Sequence, residues 1–201
     1  MSDPLIAAIV LAAGSSIRFG TENKLLADIN GTRVIESVFA NLVDCGFECV
    51  LVVVPPNQSE IETLVQSAGF SSVVNPNAAS GMGSSIACGM QWISEHRTKS
   101  YSGVAIYLGD MPSIGSDTSC RLLEEFKRGD CQQIVRPTYS ANHKNTPGHP
   151  VLFPSDFFPV LENLTGDNGA KRLIEQNQHR LTEVNIADSG VIRDIDRPSD
   201  L

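Results

Sequence analysis

The chain lacks an excess of positive charge. With 15 Lys and Arg against 23 Asp and Glu, its formal net charge is −8. That balance argues against nonspecific binding to nucleic acid, which rests on clustered cations, and against docking on anionic lipid. A leader or membrane span is not expected either: residues 1–4 bring no positive charge, and the apolar run that follows is too short for both. The expected location is therefore cytoplasmic. The five cysteines, Cys45, Cys49, Cys88, Cys120 and Cys131, form no C-x-x-C and no Cys/His ligand spacing. Most lie beside apolar residues, so buried free thiols are expected rather than ligands or disulfides. No Ser/His/Asp or Cys/His constellation stands out, and repeats, linkers and low-complexity tracts are missing. A length of 201 residues with 41% hydrophobic content suits one domain over 1–201 with a sizeable core.

What is present is alternation. Apolar runs at 6–10, 49–54, 72–75, 103–108 and 133–137 read as buried strands. Between them lie helical spacings: Val34, Ile35, Val38, Phe39, Leu42 and Val43 over 34–44; Ile61, Leu64, Val65 and Ala68 before Gly69; a stretch over 84–92; and Leu122, Leu123 and Phe126 after Asp117. Strands alternating with helices imply right-handed crossovers and a Rossmann-like, three-layer α/β/α fold with a mostly parallel sheet. The segment from Ser140 to Phe153 reads as a hairpin-like excursion, and the run GDNGAKRL from Gly166 as the opening of a last long helix.

The organising stretch is LAAGSSIRFG over 11–20, followed by NKLL over 23–26. It leaves the first strand, where backbone N–H groups of a small-residue loop can close on an anion, and Arg18 and Lys24 add the charge a triphosphate requires. It is not a dinucleotide turn, since Ser16 stands at the second Gly of G-x-G-x-x-G, and not a P-loop, since Lys24 precedes Leu25. The plainer alternative is a Gly/Ser turn with two solvated cations. A second small-residue loop, NPNAASGMGSS over 75–85, feeds a helix N-terminus, which suits an anion or an ordinary Ser-capped connector. The fourth strand ends at Gly109-Asp110-Met111-Pro112, beyond a strand carboxyl end, where ligands of open α/β sheets bind. Asp110 there can hold a metal or cap a turn. Near the end, Asp194 and Asp196 alternate around Ile195, which puts both carboxylates on one face of a short strand. Asp200 reads as part of a solvated acidic tail.

LAAGSSIRFG with NKLL resembles the signature of the MobA-like NTP transferase family, and within it the molybdenum cofactor cytidylyltransferase branch. The stretches N…GMGSS, LGDMP, GHPVLF, GDNGAK and DIDRPSDL resemble further family motifs in the same order. Gly109 stands where Ala is usual, Lys171 where Arg is usual, and Arg197 where Thr is usual. The resemblance implies a nucleotide-diphospho-sugar transferase-like fold. It implies nucleotide contacts from Leu11, Ala12, Ala13, Gly14, Ser15, Ser16, Asn75, Gly81, Ser84 and Ser85, and catalytic roles for Arg18, Lys24 and Asp110. Mg²⁺ would be held by Asp110 and Asp196, with Asp194 in reserve, and the acceptor by Gly148, His149, Asp167 and Arg172. His149 alone reads equally as a structural hydrogen-bond former.

The implied reaction moves CMP from CTP to the terminal phosphate of molybdopterin or its metal-loaded form, releasing pyrophosphate. That phosphate is already ionised, so no protein base is needed. The resemblance also allows a transient contact with a molybdoenzyme. The alternatives are a GTP-using guanylyltransferase, another small-phosphate nucleotidyltransferase, a nicotinamide-dependent oxidoreductase, and a non-catalytic nucleotide-binding partner of a molybdoenzyme.

Overall fold

A computed structural model describes residues 3–14, 19, 23–96, 100–141 and 143–201. Its spine is β1 (Ile6–Leu11), buried along its whole length. Side chains alternate between two apolar layers: Ala8, Val10 and Ala12 face one, and Ala7, Ile9, Leu11 and Ala13 the other. On one flank β1 pairs in parallel with β4 (Cys49–Val54), which pairs with β5 (Ser71–Val74). On the other flank it pairs in parallel with β6 (Gly103–Leu108).

The chain moves outward from β1 to β5, then returns through α3 (Met82–His96) to lie on the opposite side of β1. The strand order therefore reverses between β1 and β6, and ligands of open α/β sheets bind beyond the carboxyl ends of the strands at such a switch point. The layer containing Val10 is covered by α1 (Val34–Ala40), α2 (Ser59–Ser67) and α4 (Ser116–Arg128). The layer containing Ile9 is covered by α3, α5 (Phe158–Leu161) and α6 (Lys171–Gln176). The three-layer arrangement is the expected one.

Beyond β6 the pattern changes. β9 (Val151–Pro154) inserts antiparallel beside β6, with Ile106 opposite Val151, so the residues just before β9 lie at the carboxyl end of β6. β7 (Ile134–Ala141) and β10 (Leu181–Asn185) lie farther out, parallel to each other, and β8 (Lys144–Pro147) folds back on β7 as a hairpin. The expected hairpin-like excursion is this β7–β8–β9 region. A small antiparallel pair, β2 (Asp28–Ile29) and β3 (Thr32–Arg33), turns at Asn30 and Gly31, both at positive φ.

Three expectations need correction. The first helix ends at Ala40, with Asn41 as its C-cap, whose N still donates to Ser37 O (3.3 Å) and whose Nδ2 donates to the Pro112 carbonyl (3.2 Å); Val43, read as core-facing, is 58% exposed. The last helix is not long. Gly166 and Gly169 sit at positive φ, which a helix cannot continue, and α6 begins only at Lys171 and covers six residues. Residues 194–196 form no strand; a backbone hydrogen bond from Ile195 N to Asp110 O (2.8 Å) ties them to the β6 loop instead. All five cysteines are free, Cys45 and Cys131 buried and the others half-buried. Burial pushes the Cys45 thiol up to about 12 and raises Cys49, Cys88 and Cys131 as well, which favours their neutral form. No helix among the described residues is long and apolar enough to cross a membrane.

Candidate active site

The loops leaving β1, β5 and β6 emerge on one edge of the sheet, and the rest of the site is assembled against them. Lys24 lies on a 3-10 turn (Lys24–Leu26) whose start is capped by Asn23: its Oδ1 accepts from Leu25 N (3.0 Å), and its Nδ2 donates to Gln58 Oε1 (3.1 Å). Leu25 and Phe19 are buried in the α1-side core and fix this turn from beneath. The Lys24 stem is consequently covered, with the residue only 8% exposed.

Its ammonium reaches two carboxylates, Asp110 Oδ2 at 2.5 Å and Asp196 Oδ1 at 3.2 Å. Burial alone would lower the Lys24 pKa, but Asp110 and Asp196 together outweigh it and hold the ammonium above its ordinary value. Asp194 completes the group: Asp110, Asp194 and Asp196 each present one carboxylate oxygen within 4.8 Å of the others.

Asp196 is 86 residues from Asp110, and backbone contacts bring them together. The Asp188 carboxylate accepts from Gly115 N (2.9 Å), Thr118 Oγ1 (2.8 Å) and Gly190 N (2.8 Å), tying the C-terminal segment to the start of α4. These three donors offset the cost of burial and hold the Asp188 carboxyl below its ordinary value. Gly190 lies so close to the Ser113 carbonyl that no Cβ fits there. His149 N donates to Val191 O (2.9 Å), and Gly148 packs against the same residue with no room for a side chain. Ile195, buried, then reaches Asp110 through its backbone, leaving Asp194 and Asp196 on either side of it near that loop. Asp188 and Gly190 went unread in the sequence, although Asp188-Ser189-Gly190 is an Asx-turn pattern that could have flagged them.

Asp200 is more than a solvated tail. Its Oδ2 accepts from Asp196 N (3.0 Å) and Arg197 N (2.8 Å), and these bonds hold its carboxyl below its ordinary value. It therefore orients the backbone that carries Asp196. His149 also borders the carboxylates. Burial lowers its pKa more than a bond to the Ile106 backbone and the fields of Asp110 and Asp194 raise it, and its Nδ1 is buried without a partner among the described residues.

The loop after β1 is only partly open to a ligand. Leu11, Ala12 and Ala13 are buried, the Leu11 carbonyl accepts from Gly109 N (3.0 Å), and Ala12 N donates to Val53 O (2.9 Å). Gly14 is exposed. A Cβ on Gly109 would stand 3.0 Å from the Leu11 carbonyl, so glycine lets β6 end tightly against β1. Ser15, Ser16 and Arg18 lie outside the described residues.

Asn75, Gly81, Ser84 and Ser85 form a separate network. Asn75 Nδ2 donates to Ser84 Oγ (3.0 Å) and Ser85 Oγ (3.1 Å), and its Oδ1 accepts from Asn77 N (2.9 Å). Gly81 is at positive φ, and a Cβ there would come within 2.5 Å of the Gly166 backbone. Gly83 N donates to Gly166 O (2.8 Å). Asp167 therefore packs with the α3 loop and Arg172 lies exposed on α6, whereas Gly148 and His149 sit beside the carboxylates. The four residues assigned to the acceptor thus fall into two places.

Beyond the central strands of this mostly parallel α/β sheet, one cationic side chain thus meets three carboxylates. Residues 8–181 match the model of the MobA-like NTP transferase domain, and the chain belongs to that family. It is similar to nicotine blue oxidoreductase of Paenarthrobacter nicotinovorans, 25% identical over 96% of this chain and 93% of that protein. It is also similar to the purine catabolism protein PucB of Bacillus subtilis strain 168, 27% identical over all of this chain and 96% of PucB. Among solved structures, Rv0371c of Mycobacterium tuberculosis H37Rv superposes with a TM-score of 0.78 at 25% identity, covering 100% of this chain and 96% of that one. A manganese complex of Rv0371c shares the fold, with a TM-score of 0.71 at 22% identity over 90% of this chain and 88% of that one.

Proposed function

We propose that the protein transfers CMP from CTP to the terminal phosphate of molybdopterin or its metal-loaded form, with release of pyrophosphate. The observation that carries the reading is the meeting of Lys24, Asp110, Asp194 and Asp196 beyond the carboxyl end of β6. Three converging carboxylates offer the hard oxygen donors that suit Mg²⁺ or Mn²⁺, and two of them already hold a cation, the Lys24 ammonium. Asp110, Asp194 and Asp196 would hold the metal, Mg²⁺ on this reading. When bound, such an ion offsets phosphate charge and acts as a Lewis acid.

The protein's own part is positioning and charge compensation. Lys24, with Arg18, binds phosphate oxygens of the donor and offsets charge growing on the departing pyrophosphate. On this reading Ala13, Gly14, Ser15 and Ser16 are nucleotide contacts, while Asn75, Ser84 and Ser85 set the shape of the loop after β5. Gly148 and His149 bound the acceptor side, with Asp167 and Arg172 contributing from the α6 side. The acceptor phosphate is ionised near neutral pH and attacks the α-phosphorus directly; its bond forms as the bond to pyrophosphate breaks, and no side chain removes a proton. A transient contact with a molybdoenzyme that receives the product belongs to the same reading.

Base choice rests on Ala13. Its methyl is packed in the apolar layer of Ile9 and Leu11, and on this reading it fixes the backbone beside the base so that the smaller pyrimidine is favoured. A methylene-sized difference supplies only about 10–200-fold discrimination, so backbone hydrogen bonds to the cytosine edge must add to it. The expected result is a higher kcat/KM for CTP than for GTP, narrowed in Ala13→Gly; equal values or a GTP preference in the wild type would select the guanylyltransferase alternative. The likeness to nicotine blue oxidoreductase favours a second reading, reduction of a small molecule by a nicotinamide cofactor. The absence of G-x-G-x-x-G weighs against it. Oxidation of NADH or NADPH followed at 340 nm with candidate acceptors, in the absence of any NTP turnover, would establish it instead.

A further inference from the structure

The position of the Lys24 ammonium bears on how a metal enters. It lies 2.5 Å from Asp110 Oδ2 and 3.2 Å from Asp196 Oδ1, inside the group of oxygens that a divalent cation would need. Two cations a few ångströms apart on the same carboxylates repel strongly where solvent is partly excluded. Lys24 is also built to leave. Asn23 and Leu25 anchor the base of its turn, while four rotatable carbons separate that anchor from the ammonium. A swing of the side chain needs no change in the backbone.

We infer that Lys24 is an internal counter-ion that keeps a divalent cation off Asp110 and Asp196 until a triphosphate draws the ammonium away. Metal and nucleotide then enter together, and the nucleotide-free protein binds the metal weakly. The inference rests on the transferase reading for the identity of the ligand that draws Lys24 off. Its first half, competition between ammonium and metal, stands on the distances alone. By linkage, whatever factor Lys24 costs the metal, the metal costs the Lys24–carboxylate contact.

The test uses Mn²⁺ alone as the probe, with the full chain free of nucleotide, and electron paramagnetic resonance to count unbound ion. Lys24→Met keeps the length and apolar character of the buried stem and removes the charge. It should bind Mn²⁺ about tenfold more tightly than the wild type, within the roughly 5–150-fold range usual for coupled sites. Adding a non-hydrolysable CTP analogue should tighten Mn²⁺ binding by a larger factor in the wild type than in Lys24→Met, because the variant has no competitor to release. Lys24→Gln, which retains a donor toward the carboxylates, provides the same comparison if the methionine variant does not fold. Unchanged or weaker Mn²⁺ binding in the folded variants would overturn the inference, and CTP turnover by the wild type would then leave the transferase reading standing. Tighter Mn²⁺ binding in the variants, with a wild type that turns over no NTP, would uphold the competition and overturn that reading.

Discussion

Two polar regions on the same edge of the sheet are built on opposite principles. Around Asn75, donors and acceptors satisfy one another: the amide, two serine hydroxyls and the Asn77 backbone close a local network, and Gly81 and Gly83 lock it to residues 165–167. Around Asp110, like charges are forced together: three carboxylates converge, and a lysine lies against two of them. A region whose hydrogen bonds close on themselves sets shape, whereas one that concentrates unlike and like charge invites a ligand that rearranges it.

That contrast is sharpest at Asp110. Asp110→Asn should fold, because the residue lies on a loop, and should lose about 100-fold or more in turnover, measured as pyrophosphate released per folded molecule. Asp196→Asn should follow it. In the closed network the expected damage is to stability. Gly81→Ala imposes a strained φ and a collision with the Gly166 backbone. A cost of about 1–3 kcal/mol follows, lowering Tm by several degrees at this chain length, which calorimetry would detect.

A smaller effect separates the two roles within one segment. Asp200→Ala removes the acceptor for Asp196 N and should weaken Mn²⁺ binding a few-fold, whereas Asp200→Asn keeps an oxygen there and should be nearly silent. Equal loss in both variants would mean that the charge of Asp200, not its cap, is what matters. The smallest effect concerns acid. Burial holds the folded-state pKa of His149 below the ordinary 6.5, so the unfolded chain takes up this proton first as pH falls. His149 thus costs no stability well above pH 6.5 and an increasing amount as pH drops from there toward its folded pKa. Melting curves of wild type and His149→Gln across that window should converge at neutral pH, with the wild type falling more steeply in acid.

The legible parts of the fold are those dictated by local composition. Cys49–Val54 and Gly103–Leu108 are apolar runs flanked by turn residues, and they form strands with the expected bounds. The segment after Gly166 misled because its residue types suit a helix, while the glycines adopt φ values no helix contains. Residues 194–196 misled differently: their alternation does place both aspartates near Asp110, yet through a backbone bond rather than a strand. Asp200 acts through donors three and four residues before it; Asp188 has a local half, its bond from Gly190 N, but its bond from Gly115 N spans 73 residues, and that half appears only once the chain is folded. The convergence of Lys24 with Asp110 and Asp196 has no local signal either; family motifs brought those residues together in the reading of the sequence before the fold did so in space.

The most direct measurement is pyrophosphate release by the purified protein with each of the four NTPs, with and without molybdopterin, run beside Asp110→Asn at equal folded concentration. The account predicts release from CTP that depends on molybdopterin and collapses in the variant. Wild-type release unaffected by Asp110→Asn, or none from any NTP in the presence of molybdopterin, would contradict it.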